Sequence, residues 1–304
     1  MKNKKIIIGS RGSKLALIYA ERARIELLKN SEIESVQIKS ITTTGDKITD
    51  VRVSEHGGKG LFCKAIEKEL LDGNIDIAVH ALKDMPTEET DGLLTNCFLE
   101  RNDPREILIS KEKKLLKDFA PGALVGTSSF RREFQIKKIR QDLSCKLIRG
   151  NIDTRIKKLN DNLYDAIILS YAGIKSLGLS ENISQIFSTS EIIPSAGQGV
   201  VALQCKNDDK DLIEILKNVN HQKTHNCIKA ERNVLKVLEG DCETAVGAFA
   251  AIDGNTINLE VELFSIDGKE RFHLKSSKEV DKANELGIEV GKTLKKKSNN
   301  LYKK

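Results

Sequence analysis

Residues 126–140 read GTSSFRREFQIKKIR. Three hydroxyls, on Thr127, Ser128 and Ser129, stand where a short apolar run, 123–125, gives way to helically spaced Phe130, Phe134, Ile136 and Ile139. The first turn of a helix has unpaired N–H groups and the positive end of the macrodipole, so hydroxyls cap it and anions are stabilised there. The adjacent Arg131 and Arg132 do nothing for that end unless an anion shares it. Two readings stand: a capped helix with solvated arginines, or a built anion site.

Other charged groups fall at the ends of apolar runs. Ser10 and Arg11 close the first; Lys83 and Asp84 follow IDIAVHAL; Arg149 is followed by Arg155; Ser170 to Gly173 close another. Ligands of open α/β sheets bind beyond the carboxyl ends of the strands. Several arginines and one carboxylate therefore share an edge suited to a polyanion, and the guanidinium fork matches carboxylates or phosphates. GGKGLF lacks the glycine spacing and the Ser/Thr of a phosphate-binding loop, which weakens the phosphate reading. Asp84 either caps a turn or, in a cleft, moves protons and stabilises a developing cation. His80, inside an apolar run, reads as structural. No Ser/His/Asp or Cys/His set emerges from the spacings. Cys242, in LEGDCETAVG, lies just past a helix end and outside any apolar run. Asp241 and Glu243 disfavour its thiolate, which fits a thiol modified once better than one activated at every turnover.

The elements that must hold these groups alternate. KIIIGS, VQIKSI, IDIAVHAL, EILIS, ALVGTSS, KLIRG, DAIILSYAG and VVALQC read as strands. Leu15, Ile18, Tyr19, Ala23 and Leu27 mark one helical face; Leu61, Phe62, Ala65, Ile66 and Leu70 mark another, stopped by Gly73. Residues 42–60 have no period and contain four glycines, as in a lid. Alternation of this kind predicts parallel sheets covered by helices. From about residue 222 the pattern changes to a helix, THNCIKAERNVLKVL, strand-like AVGAFAAI and TINLEVELFSID around a DGN turn, and a last helix over 279–296, a separate α+β domain.

The totals narrow the class. The chain has 304 residues, 39% hydrophobic and 31% charged, with net charge +6. That length predicts two or three domains. Aromatics are 4% and tryptophan is absent, which speaks against a nucleic-acid groove with stacking platforms. The opening MKNKKIIIGS has too short an apolar core for a signal peptide, and no run approaches a membrane span. The expected compartment is the cytoplasm. Six scattered cysteines without C-x-x-C pairing predict neither disulfides nor zinc, and no metal site is expected.

Taken together, GSRGSKLAL, GGKGLFCKAIEKELLDGNIDIAVHALKDMP, RNDPRE, GTSSFRRE, IRGNIDTR, DAIILSYAGIKSLGL, IPSAGQGVVALQC and LEGDCETAVG resemble the hydroxymethylbilane synthase (porphobilinogen deaminase) family over nearly the whole chain. The resemblance implies an α/β fold of two lobes like type II periplasmic binding proteins, plus a smaller C-terminal α+β domain. Residues 1–100 with 196–219 would form domain 1, 101–195 domain 2 and 220–304 domain 3. It implies a dipyrromethane cofactor on Cys242 through a thioether, and Asp84 as the essential carboxylate. Four porphobilinogen units would join head to tail with loss of ammonia, and water would release the linear tetrapyrrole. Arg11, Ser13, Lys83, Thr127, Ser128, Ser129, Arg131, Arg132, Arg149 and Arg155 match positions that hold acetate and propionate groups of the growing oligopyrrole. Residues 42–60, with Lys59, match the lid. A monomer without nucleic-acid or membrane partners is implied. The competing class is a non-enzymatic anion-binding protein of the same two-lobed fold. The chain departs from the family at Ser176, where arginine is common (Lys175 is adjacent), at Tyr19 and Ala81, where glutamine and serine are frequent, and at Asp241 and Ala245, which replace glycine and proline around the cysteine.

Overall fold

A computed structural model describes residues 4–43, 45, 60–240 and 244–303. The described chain forms two compact units.

The first unit holds described residues up to 102 and residues 199–225. Its strands are β1 (Lys4–Arg11), β2 (Ile33–Ile41), β3 (Ile77–Ala81), β4 (Leu93–Phe98) and β10 (Val201–Lys206). They form one sheet in the order β2-β1-β3-β10-β4. On it pack α1 (Lys14–Leu27), α2 (Gly60–Leu71) and α6 (Lys210–Val219). Burial follows the strand pattern: Ile77, Ala78 and Val79 of β3 are all inside, as in a strand covered on both faces. Helix α1 buries Tyr19, Ala20, Ala23 and Leu27, whereas Ile18, assigned to that face from the sequence, is exposed. Helix α2 buries Ile66 and Leu70 and gives way to Gly73 at φ +76°, a conformation that costs glycine little and other residues more.

The second unit holds residues 103–198 and the described residues from 226 on. Here β5 (Glu106–Ser110), β6 (Leu124–Gly126), β7 (Ser144–Lys146), β8 (Ala166–Ser170) and β9 (Gln185–Ile186) form a sheet in the order β7-β6-β8-β5-β9. Helices α3 (Phe130–Ile139), α4 (Ile152–Asn160) and α5 (Tyr171–Ser176) accompany it. The C-terminal part is an antiparallel sheet of β11 (Val246–Asp253), β12 (Thr256–Phe264) and β13 (Arg271–Glu279). Two long helices complete it, α7 (Gln222–Leu238) and α8 (Ala283–Ser298). They share its core through Val234, Leu238, Leu286 and Val290. At Gly287 a Cβ would meet the Ala230 carbonyl at 2.3 Å, so only glycine allows this helix approach.

Two sequence expectations are corrected. Both five-stranded sheets are mixed: β1 pairs in parallel with β2 and β3, and β6 with β7 and β8, but β10 and β5 are antiparallel to their neighbours. Strands β5 and β10 do not enter through a helical crossover from the strands beside them, so the handedness that enforces parallel pairing does not act on them. The strand expected at KLIRG lies earlier, at Ser144–Lys146, and leaves Arg149 in a loop. Strands β4, β9 and β13 and helices α4, α5 and α6 were not anticipated, and the strand expected over DAIILSYAG stops at Ser170, where α5 begins. The expected lid segment, residues 42–60, lies almost wholly outside the described residues.

Candidate functional site

In the first unit, three strand and helix ends converge. Arg11 is the last residue of β1 and Ser13 caps α1, its Oγ accepting from the Ala16 N–H at 3.4 Å. Strand β3 runs into a single 3₁₀ turn, Leu82–Asp84. That turn is pinned by Leu82 N–H to the Val200 carbonyl and by Met85 N–H to the Leu82 carbonyl, each at 3.0 Å. The cleft they border has a volume of about 470 Å³ including its open mouth; Arg11, Ser13, Phe62, Cys63, His80 and Asp84 line it. Tyr19 and Ala81, two of the departures from the family pattern, line it as well. The Arg11 guanidinium carbon lies 4.2 Å from the centroid of Phe62, a cation–π contact that holds the charge at the rim. Asp84 is half-buried, and among the described residues no hydrogen bond or ion pair engages its carboxylate. The capping alternative is therefore not what the side chain does: its backbone carbonyl faces Cys63 Sγ at 3.9 Å, and the carboxylate is left for a ligand. Lys83 is half-buried beside it.

In the second unit, Thr127 is buried, and its Oγ1 accepts from the Ser129 N–H at 3.2 Å. Ser129 caps α3, accepting from the Arg132 N–H at 3.4 Å, and Ser128 is half-buried between them. Arg131 and Arg132 do not lie on the surface. Glu106, the first residue of β5, is fully buried and divides its carboxylate between them: Oε1 is 2.6 Å from Arg131 Nη2 and Oε2 is 2.8 Å from Arg132 Nη2. Arg131 Nη1 donates to the Ile193 carbonyl at 2.9 Å and Arg132 Nη1 to the Ile168 carbonyl at 3.3 Å. The anion that makes this arginine pair tolerable at a helix start is thus internal. Glu106 is shared by two guanidiniums, and buried Glu262, which also acts on Arg131, is itself paired with Lys138 and Arg271, so a net positive charge remains under the loop; Arg132 Nε is a buried donor with no partner.

Removing the carboxylate strands both guanidiniums in a low dielectric. Glu106→Gln is expected to lower unfolding free energy by about 3–5 kcal/mol, read as a lower urea midpoint at unchanged m-value.

Arg149 and Arg155 are half-buried, and Arg155 Nε donates to the Gly150 carbonyl at 2.8 Å. Ser176 ends α5 and Lys175 beside it is exposed. Cys242, Asp241 and Lys59 lie outside the described residues. Among the described residues, no group of three or more His, Cys, Asp or Glu could hold a metal ion, and no helix is long and apolar enough to cross a membrane. The sequence reading missed Glu106 as the partner of the arginine pair, and missed His80 as a cleft-lining group.

Sheets of this order, a cleft with an unpartnered carboxylate beside an arginine, and a helix-start loop over surplus positive charge define an α/β protein that handles polyanionic ligands. Residues 6–214 match the family model "porphobilinogen deaminase, dipyromethane cofactor binding domain", and residues 225–296 match "porphobilinogen deaminase, C-terminal domain". The porphobilinogen deaminase of Syntrophomonas wolfei is 43% identical over 287 residues, 94% of this chain and 94% of the relative. That of Chloroherpeton thalassium is 42% identical over 291 residues, covering 94% and 93%. Among solved structures, the methionine-binding protein MetQ aligns with a TM-score of 0.44 at 14% identity, covering 73% of this chain and 90% of that one. The chain belongs to the porphobilinogen deaminase family. It is a transferase that condenses four porphobilinogen molecules head to tail, with loss of ammonia, into the linear tetrapyrrole hydroxymethylbilane, primed by a dipyrromethane cofactor.

The residues present fit that cofactor. A dipyrromethane bearing acetate and propionate groups needs several cationic or N–H donors on one side. The second unit supplies half-buried Arg149 and Arg155, the α3 N-terminus and the orphaned Arg132 Nε.

Proposed function

We propose that Asp84 is the catalytic carboxylate, that Cys242 carries the dipyrromethane, and that the basic groups hold its carboxylates and those of each added ring. The bound cofactor supplies a nucleophilic pyrrole carbon. Everything else is done by the chain. Arg11, Ser13 and Lys83 receive side-chain carboxylates of porphobilinogen at the cleft. Asp84 accepts a hydrogen bond from the pyrrole N–H, and its charge stabilises the positive character that develops on that ring as ammonia departs. Thr127, Ser128 and Ser129 with Arg149 and Arg155 bind the chain already made. Arg131 and Arg132 act beneath them, through the surplus positive charge left after Glu106. Lys59 and the neighbouring segment cover the site, and water releases the product.

The assignment of three domains, 1–100 with 196–219, 101–195 and 220–304, is part of this reading, as are a monomeric state and a cytoplasmic location. The observation that carries it is the Asp84 carboxylate, half-buried in a cleft and without a protein partner among the described residues.

Intact mass tests it. The purified protein is expected to exceed its sequence mass by two linked pyrrole units and to colour with an aldehyde reagent for pyrroles. On adding substrate, a ladder of heavier species appears. Arg149→Leu and Arg155→Leu are each expected to fold and to shift that ladder towards shorter chains, with turnover down roughly 10- to 100-fold for one lost charged hydrogen bond of about 1.5–3 kcal/mol. Parent mass equal to the sequence mass would defeat the reading as a whole. An unchanged ladder at normal turnover would remove these two arginines from it.

A further inference from the structure

The end of α7 departs from two rules of helix termination. Glu239 follows its last residue, Leu238, at φ +54°, the left-handed conformation that glycine or asparagine usually supplies there. It also puts a carboxylate at the negative end of the helix macrodipole, where cations are the favoured neighbours. The backbone cap is nevertheless formed: the Glu239 N–H donates to the Lys236 carbonyl at 3.1 Å and the Gly240 N–H to the Leu235 carbonyl at 3.2 Å. The misfit is met by α8 and the residues after it. Lys295, in the last turn of α8, lies 3.0 Å from Glu239 Oε1, and Lys303 lies 2.7 Å from Oε2. Hydrogen bonds from Lys303 and Lys295 hold the Glu239 carboxyl well below the usual carboxylate range. Tyr302 is buried in the same core cluster as Leu238 and Val246, and its hydroxyl donates to the Leu238 carbonyl at 3.0 Å.

This clasp closes on the residue from which the Cys242 segment departs. Gly240 comes next in the chain, and a Cβ placed on it would lie 3.4–3.5 Å from the Thr244 side chain, so the two ends of the segment stand side by side. The downstream end is tied to the sheet, the Phe264 N–H donating to the Ala245 carbonyl at 3.1 Å. The upstream end hangs on the α7 cap. The covalent chain alone keeps the Cα of Cys242 within about 7 Å of Gly240. We propose that Glu239 and Tyr302 are positioning residues for cofactor attachment: with Lys295 and Lys303 they fix the point from which the Cys242 thiol meets the first porphobilinogen. This rests on Cys242 being the anchor. In attachment, a C–S bond to the aminomethyl carbon replaces its C–N bond. The electron pair of that bond leaves with nitrogen, and the thiol proton ends on the ammonia released. Asp241 and Glu243, beside the cysteine in sequence, disfavour its thiolate. Orientation of the sulfur is then the main means by which the protein speeds the step.

Glu239→Gly separates positioning from stability. Glycine is the residue a left-handed helix end prefers, and exposed ion pairs add little to stability, so the urea midpoint is expected to stay near that of the parent while the hold of the lysines is lost. The full chain is made in a host unable to synthesise porphobilinogen; porphobilinogen is then added, and the gain of two pyrrole units is followed by intact mass. Glu239→Gly is expected to load about 10-fold more slowly than the parent, short of the roughly hundredfold that a 1 Å misplacement can cost. Tyr302→Phe keeps the ring and loses the hydroxyl bond, and is expected to slow loading about 2- to 10-fold. Lys295→Met with Lys303→Met should behave as Glu239→Gly does, and Lys295→Arg with Lys303→Arg as the parent does. Once loaded, every variant should turn over within about twofold of the parent, because the basic groups then hold the cofactor carboxylates. Parent-like loading in Glu239→Gly would overturn the proposal. So would slow loading matched by an equally lowered urea midpoint, the mark of a merely structural contact. Amide exchange gives a second reading: the Gly240 N–H should exchange faster in Tyr302→Phe with the Val234 N–H unchanged, and equal protection of Gly240 would show that the clasp does not hold it. A Cys242→Ser chain that still gained the mass would defeat the anchor reading itself, whereas loss of the adduct there with parent-like loading in Glu239→Gly would defeat the clasp alone.

Discussion

Asp84→Asn should yield a folded enzyme that binds porphobilinogen and forms tetrapyrrole at least about a hundredfold more slowly. The amide keeps the shape and much of the hydrogen-bonding capacity of the side chain. It removes the negative charge and the ability to exchange a proton. The ring nitrogen of the substrate gains positive character as ammonia leaves, and again when two pyrroles join. A carboxylate within hydrogen-bond reach stabilises those stages more than the neutral ground state, and only such differential stabilisation raises the rate. One charged contact of this kind is worth about 10²–10³-fold, and lost acid–base transfer adds a similar factor. The structure sharpens the expectation: the carboxylate has no backbone or side-chain partner among the described residues, so no structural bond is lost with its charge. Single-turnover kinetics on variant already loaded with cofactor isolates the chemical step. A rate within a few fold of the parent would return Asp84 to a structural role.

Cys242→Ser should fold, lack the added dipyrromethane mass, and show turnover at background. A serine hydroxyl is a far weaker nucleophile than a thiol towards an electrophilic pyrrole, and cofactor attachment is the step on which every later one depends. The other cysteines are poor candidates for the anchor on physical grounds. Cys63, Cys97, Cys205 and Cys227 are buried. Burial pushes Cys97 up to about 12 and Cys145 and Cys205 up to about 11. Single replacement of any of these five by alanine should leave the added mass in place wherever the protein folds. Intact mass of the Cys242 variant decides the matter: a retained adduct places the anchor elsewhere.

What the sequence revealed depended on the range of the interaction involved. Strand β3 and the turn after it were legible because IDIAVHAL is a continuous apolar run broken by Lys83-Asp84, both local signals. The N-cap at Ser129 was legible for the same reason. The internal partner of Arg131 and Arg132 was not, because Glu106 stands 25 residues upstream of Arg131 and is brought there only by sheet pairing. The antiparallel entry of β5 and β10 was hidden for a related reason: an apolar run carries no record of strand direction. Strand β13, RFHLKSSKE, escaped notice because it is half-covered and polar enough to read as a loop.

Strand β10 lies between β3 and β4 in the first sheet, although about a hundred residues separate the end of β4 from its start. The first unit therefore cannot close its sheet while the chain is being made from its amino end. At roughly 5–20 residues per second, β3 and β4 wait on the order of 5–20 s with facing edges unpaired. Over that interval residues 103–198 emerge in full, and their own sheet is complete with β9 before β10 is synthesised. Between the two five-stranded sheets, order of birth and order of maturation are thus inverted: the sheet that carries Asp84 at its edge is begun first and finished later. Its exposed strand edges are the part of this chain most in need of protection on the ribosome.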